Sequence, residues 1–369
     1  MGTSFLLHMR VVPDHRVVGM VTYPLDEILL ATLTGVLCGA DDWDGIETAG
    51  RGLIEWLRQF LPFRCGVPSA QTFRKVFRLL PPDALERGFI SWVASLQEVV
   101  RGVVAVDGKT LRGSKHASDG TGALHLLSAY ACGAGLVIGQ RAVDGKSNEI
   151  TAIPELLDML ALKGAIISID AMGAQKEIAA KIAGQEADYV LALKGNQGTL
   201  HQDVRAFFVD PALAKNCASF AATDAGHGRI EERICRACGD IDWLKECHPG
   251  WTALTSIAAV TSKRINKKTG EISTETRFYI SSLPPNPAAL LAVTRAHWGI
   301  ENNLHWQLDV SFNEDRCRTR KDFSPLNFAI IRHAALNILK KNEAKLSINR
   351  KRLNAAINPA FRTQLLTEC

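Results

Sequence analysis

The chain has 369 residues, of which 47% are apolar and 22% charged, with a formal net charge of +5 at neutral pH. This composition excludes collagenous, coiled-coil and wholly disordered classes, and the length suffices for a well-buried core and two or three domains. No run approaches about eighteen uninterrupted apolar residues, and the first residues lack the basic, apolar and small-residue order of a secretory signal, so a cytoplasmic protein without a membrane partner is expected.

Residues 1–95 read as a helical module. Leu25 to Leu33 forms an apolar helical run, and Gly52 to Leu57 starts another. Ser69 offers a cap to a third helix whose apolar positions Phe73, Val76 and Phe77 recur at helical spacing. The pattern changes at Gly102-Val103-Val104-Ala105-Val106-Asp107, a β-branched run of strand length that ends in a carboxylate. Leu124 to Ala131 and Leu136 to Val143 flank Cys132-Gly133-Ala134-Gly135 as a hairpin. A helix near 150–162 follows, then a strand over Ala165 to Asp170, a helix over Gln175 to Ile182, a strand over Tyr189 to Leu193 and a helix near 200–208. Antiparallel strands that precede alternating units predict a mixed α/β sheet with helices on its faces. Residues of about 210–283 read as a strand-rich insertion, and a long helix is expected from about Ala288 to Leu308. The second domain therefore spans 96–369 and closes with a basic helical segment over about 316–369.

Nine cysteines, an odd number, lie in core-like segments such as Tyr130-Ala131-Cys132 and read as reduced thiols. Between Arg316 and Arg352, eleven Lys and Arg stand against two acids, Asp322 and Glu343. That imbalance points to a polyanionic partner, nucleic acid first, with solvated helix faces as the alternative.

Asp107 and Asp170 both end strands and are followed by turns, where sheet backbones splay and a site can open. Glu301, on the late helix, is a third acid that a helix laid across the sheet would bring between them. Three carboxylates suit two hard divalent cations, because Mg²⁺ prefers oxygen ligands. Lys109, Arg112, Lys194 and Asn196 follow the strands as candidate phosphate contacts, and Arg295 lies on the helix of Glu301. Trp298 is a candidate base-stacking platform. Arg316, Arg318, Arg320 and Lys321 are candidate DNA contacts in the basic segment.

Four stretches carry a resemblance. Val106-Asp107-Gly108-Lys109-Thr110-Leu111-Arg112-Gly113-Ser114, Asp170-Ala171-Met172-Gly173-Ala174-Gln175, Leu193-Lys194-Gly195-Asn196-Gln197, and His297-Trp298-Gly299-Ile300-Glu301-Asn302 with Leu304-His305-Trp306 and Asp309-Val310 resemble the signatures of bacterial insertion-sequence transposases with a DDE triad. The narrower likeness is to the branch that includes the H-repeat-associated proteins, and it spans nearly the whole chain. It implies a ribonuclease-H-like core with Asp107, Asp170 and Glu301 as the catalytic and metal-binding triad. It also implies two Mg²⁺ ions, with Mn²⁺ as substitute. The expected partners are double-stranded DNA at the element ends, target DNA and a second copy in the DNA complex. Wider relatives carry a Tyr, Arg, Glu, Lys pattern around the glutamate, whereas this chain has Thr294, His297 and Leu308 at the other three places. No role is therefore carried over from those positions.

Other readings compete. A catalytically inactive, DNA-binding relic or regulator would keep the basic surface without needing the acids. His297, Glu301, His305 and Asp309 recur every four residues, but the two histidines stand roughly 12 Å apart along a regular helix, too far for one zinc ion. Cys235-Arg236-Ala237-Cys238 with Cys247-His248 lacks the usual ligand gap. No phosphate-binding glycine loop appears, so no nucleotide cofactor is expected, and no serine-hydrolase elbow appears either.

Overall fold

The computed structural model describes residues 3–96, 101–115, 122–143, 149–226 and 228–368. Six helices come first: α1 (Ser4–Met9), α2 (Leu25–Leu37), α3 (Trp43–Gly52), α4 (Ile54–Leu57), α5 (Ala70–Leu79) and α6 (Pro82–Leu96). Ser69 caps α5 by accepting from the Thr72 amide, and Phe73, Val76 and Phe77 are buried on one face. Trp43 stacks among Phe73, Phe77 and Phe328, which joins this module to a helix near the other end of the chain.

The sheet begins with β1 (Gly102–Leu111), β2 (Leu124–Ala131) and β3 (Leu136–Val143), which pair antiparallel. α7 (Glu149–Asp158) leads to β4 (Ala165–Ile169), and α8 (Lys176–Gly184) leads to β5 (Asp188–Leu193). β4 lies parallel to β1, and β5 parallel to β4. The order β3-β2-β1-β4-β5, a meander followed by parallel crossover strands, is the ribonuclease-H-like arrangement, here within a mixed α/β fold. Buried β-branched residues make this possible: Val104, Val106, Ile167 and Ile169 fill central strands covered on both faces.

After α9 (Thr199–Val209) come β6 (Ala218–Gly226), β7 (Arg229–Cys238), α10 (Asp242–Cys247), β8 (Ser256–Asn266) and β9 (Ile272–Ser281). These strands do not build a separate sheet. β9 pairs antiparallel with β5, from Val190 opposite Ser281 to Leu193 opposite Phe278, and the meander runs on outward to β6. The long helix follows as α11 (Pro287–Ile300), a π-helical turn over Glu301–His305, and α12 (Trp306–Ser311). Asn286 caps its start and Pro287 occupies the first turn. The chain ends with α13 (Ser324–Lys341), α14 (Ile348–Ile357) and α15 (Pro359–Thr367).

Part of the basic carboxy-terminal segment is buried and faces neither a polyanionic partner nor solvent. α13 is buried along most of its length, and Arg332, Lys351 and Arg352 are each 5% exposed or less. Their charges meet backbone carbonyls at helix ends: Lys351 donates to Leu339 and Asn342, and Arg352 donates to Val36 and Ala40 and pairs with Asp41. Composition counted these cations as surface because burying a charge is costly unless it is paired; here each one is.

Strand β3 is a sheet edge, and helices from both ends of the chain close it. Asn337 of α13 accepts from the Val137 amide at 2.9 Å and donates to the Val137 carbonyl at 2.8 Å. Glu86 of α6 accepts from the Gln140 amide at 3.0 Å. Burial pushes the Glu86 carboxyl up to about 8, the Gln140 amide opposing. The folded protein thus keeps a proton between pH 4.5 and about 8 that the unfolded chain releases, so stability falls as pH rises through that window. Glu86→Gln should remove this part of the decline and stabilise the protein by about 2–4 kcal/mol at pH 8, with little effect at pH 4.5. Urea unfolding of both proteins across this range checks it; parallel pH profiles would contradict it.

Candidate active site

The parallel ladder between β1 and β4 ends with Val106 opposite Ile169. Asp107 and Asp170 are the next residue on each strand, so the register alone sets them side by side where the strands part, roughly 5 Å apart between strand axes. β1 continues against β2, with Asp107 opposite Ser128, whereas the chain after β4 turns away. That turn is held by the Asp170 carboxylate, which accepts from the Met172 amide at 2.9 Å.

α11 packs against β1, β4 and β5 and delivers the third acid at its carboxyl end. The helix widens there into the π-helical turn, a distortion that often marks functional positions. Glu301 opens this turn and His305 closes it. One ligand atom from each of Asp107, Glu301 and His305 lies within 4.8 Å of the other two. The His305 Nδ1 stands 3.2 Å from Glu301 Oε2 and 3.6 Å from Asp107 Oδ2. Asp170 is not in this tight trio but lines the same cavity of about 410 Å³ together with Asp107, Glu301, Lys194, His297 and Trp298.

The electrostatics follow from gathering acids in a partly dry place. Burial, then the charges of Asp170, Glu149 and Glu301, push Asp107 up to about 7, while the Gly108 amide opposes. Burial lowers the imidazole pKa of His297 and of His305, with Asp170 opposing at the first and Glu301 at the second. A carboxyl pushed up by burial and, after it, by acidic neighbours is what a cation would relieve, so the donor set suits a divalent ion.

The other sequence-predicted residues divide. Lys194 is exposed at the cavity, and Trp298, 42% exposed, lies under the Arg277 guanidinium at 4.7 Å. Arg112 is exposed beside Asp315. Asn196 donates to the Ala171 carbonyl at 2.8 Å and so steadies the turn after Asp170. Arg295 pairs with Asp224 of β6 at 2.7 Å. Arg318, Arg320 and Lys321 line a groove shared with Arg74, Lys75 and Arg78 of α5, and Arg316 lines a neighbouring groove that also contains Asp41, Asp42 and Asp44.

Lys109 is a correction. Its ammonium is 2.6 Å from Asp309 and 2.8 Å from Glu314, and only 11% of the side chain is exposed, so it is not free for phosphate. Burial disfavours its charge, but Glu314 and Asp309 outweigh that and raise its pKa. Glu314 is itself buried, with Arg332 also nearby. This cluster ties β1, two residues beyond Asp107, to the chain beyond the π-helical turn.

His305 enters the sequence reading only in the four-residue stripe set aside as a zinc site, and Arg277 is not among its candidate site residues. The spacing of Glu301 and His305, one turn apart, was a usable signal for the first. Arg277 lies in an ordinary strand pattern and carried none. Cys235 and Cys238 are buried along β7, and His248 pairs instead with Asp203 at 2.7 Å.

The ribonuclease-H-like sheet thus gathers acids where its central strands part. Comparison with known proteins makes this specific. Residues 6–93 match a family described as DDE_Tnp_1-associated, and residues 99–338 match the family described as Transposase DDE domain. The chain is 38% identical to "Putative transposase YncI" of Escherichia coli O157:H7, over 99% of this chain and 95% of that protein. It is also 38% identical to "H repeat-associated putative transposase YhhI" of Escherichia coli strain K12, over 97% of this chain and 96% of that one. Among solved structures, a chain of the piggyBac transposase synaptic complex with hairpin DNA aligns at 13% identity and a TM-score of 0.40, over 98% of this chain and 77% of that one. The chain belongs to the DDE transposase family.

Removing the Lys109 ammonium would leave Glu314 and Asp309 facing each other with one counter-charge fewer. Lys109→Met should therefore destabilise the fold by about 3–5 kcal/mol, because a broken buried pair strands its partner. The salt dependence of DNA binding should keep its slope in whatever fraction remains folded. Normal stability with a shallower salt slope would return Lys109 to the DNA surface.

Proposed function

We propose that this protein binds the ends of its own insertion sequence and catalyses metal-dependent phosphodiester cleavage and strand transfer, with Asp107, Asp170 and Glu301 as its triad. The observation that supports this most is the convergence of three acids, from β1, from the end of β4 and from the helix laid across them, on one open cavity. Two Mg²⁺ ions, or Mn²⁺ in their place, would supply activation of a water or DNA 3′-hydroxyl on one side and stabilisation of the leaving oxygen on the other. Asp107, central to the group, faces both other acids; Asp170 and Glu301 hold the flanks. Lys194 and Trp298 stand at the mouth, where a phosphate and an unpaired base would enter.

Duplex DNA at the element ends would extend from the cavity to the basic groove formed by Arg74, Lys75, Arg78, Arg318, Arg320 and Lys321. Target DNA would enter the same cavity after cleavage. The amino-terminal helices and the basic segment are the DNA-binding parts in this reading, and a second copy joins in the DNA complex. No helix among the described residues is long and apolar enough to cross a membrane. A cytoplasmic protein associated with the nucleoid when bound to DNA is the location we infer.

Incubation of the purified protein with labelled element-end DNA and Mg²⁺ or Mn²⁺ tests this reading. The wild type should nick at the element boundary. Asp107→Asn, Asp170→Asn and Glu301→Gln should each reduce nicking to background while keeping end binding within about threefold, a change of under 1 kcal/mol. Wild-type rates in any variant would remove that residue from the triad. A wild type that binds ends and leaves them uncut with both metals would favour the inactive relic.

A further inference from the structure

We infer that His305 is a protein ligand to one of the divalent cations, completing a carboxylate–carboxylate–imidazole face with Asp107 and Glu301. The inference rests on the metal-dependent reading above and extends it from three oxygen-donating residues to a mixed oxygen and nitrogen set.

Three observations carry it. First, the distances suit shared coordination. An octahedral ion with ligands at about 2.1 Å sets adjacent ligand atoms about 3 Å apart. The His305 Nδ1 is 3.2 Å from Glu301 Oε2 and 3.6 Å from Asp107 Oδ2, and all three ligand atoms lie within 4.8 Å of one another, so drawing the two carboxylates together around an ion would bring all three to one face. Second, the ring is fixed and dry. His305 is 5% exposed, and its Nε2 is buried without a hydrogen-bond partner. The carboxylates ahead of Nδ1 are thus the polar groups that orient it. Third, the backbone is distorted over the segment that carries both helical donors. The π-helical turn begins at Glu301 and ends at His305, and Lys109 with Asp309 and Glu314 anchors the chain beyond it to β1. The distortion falls on Glu301-Asn302-Asn303-Leu304-His305, and the widened turn sets the direction of the two donor side chains at its ends.

A nitrogen donor also changes metal preference. Imidazole favours first-row transition ions, whereas Mg²⁺ prefers oxygen. The site holding His305 should therefore bind Mn²⁺ more tightly than Mg²⁺.

Pulsed electron paramagnetic resonance of the full chain loaded with Mn²⁺ reads this directly, without reference to turnover. The wild type should show ¹⁴N modulation from a directly bound imidazole, and ¹⁵N-histidine labelling should convert it to the ¹⁵N pattern in the unmutated protein. His305→Gln should lose the modulation and lower the ratio of Mn²⁺ to Mg²⁺ affinity about tenfold. His297→Gln should retain it, which separates the two histidines at the cavity. Saturable Mn²⁺ binding that depends on Asp107 but shows no nitrogen coupling would overturn the role of His305 and leave the metal-dependent reading standing. Coupling that survives His305→Gln and vanishes in His297→Gln would overturn it in favour of the other ring. Failure to bind Mn²⁺ at all would overturn both.

Discussion

Mutual repulsion among carboxylates in a partly desolvated cavity is the constraint around which this molecule is arranged. Left to themselves, Asp107, Asp170 and Glu301 would separate into water; burial first, and the neighbouring charges after it, lift the Asp107 pKa to about 7. The restraint is distributed. Two acids are placed by the parallel register of β1 and β4, which no local motion can slip without turning every buried side chain of those strands outward. The third is placed by α11, whose buried face is locked onto the same strands, and by the Lys109 cluster beyond the π-helical turn.

The same logic explains why the ends of the chain cannot be treated as appendages. The amino-terminal helices and α13 together cover the β3 edge, and Trp43 packs on Phe328 across nearly the whole sequence. Gly113 shows how tightly the strand end behind the site is built against the later chain. A Cβ there would lie 2.2 Å from the Cys317 carbonyl oxygen, and Arg320 donates to the Gly113 carbonyl at 3.0 Å. The segment that follows α12 is therefore clamped to the strand that carries Asp107. The basic groove between α5 and residues 318–321 inherits its shape from that clamp.

Much of this was legible in the sequence. Strands such as Gly102 to Asp107 and Ala165 to Asp170 announce themselves because β-branched runs of that length have few alternatives, and an acid at the end of each is conspicuous. The family resemblance rested on the turns after them. What was not legible depends on distance in the chain. The burial of Arg332 and Arg352 could not be read from a charge count, since their partners are carbonyls and acids supplied by remote segments. Lys109 looked like a phosphate contact because its neighbours in sequence are turn residues, yet its partners lie about two hundred positions away. The π-helical turn has no compositional signature, so the approach of His305 to Asp107 emerged only in three dimensions.

The arrangement of the acids is open to one direct measurement. Crystals of the protein grown with Mn²⁺ would give anomalous diffraction that locates every bound ion without reference to activity. Ions coordinated at about 2.1–2.3 Å by Asp107, with Glu301 on one side and Asp170 on the other, are the expected result. Saturating Mn²⁺ with no anomalous density between these carboxylates, or density held by other residues while the three acids point apart, would contradict it.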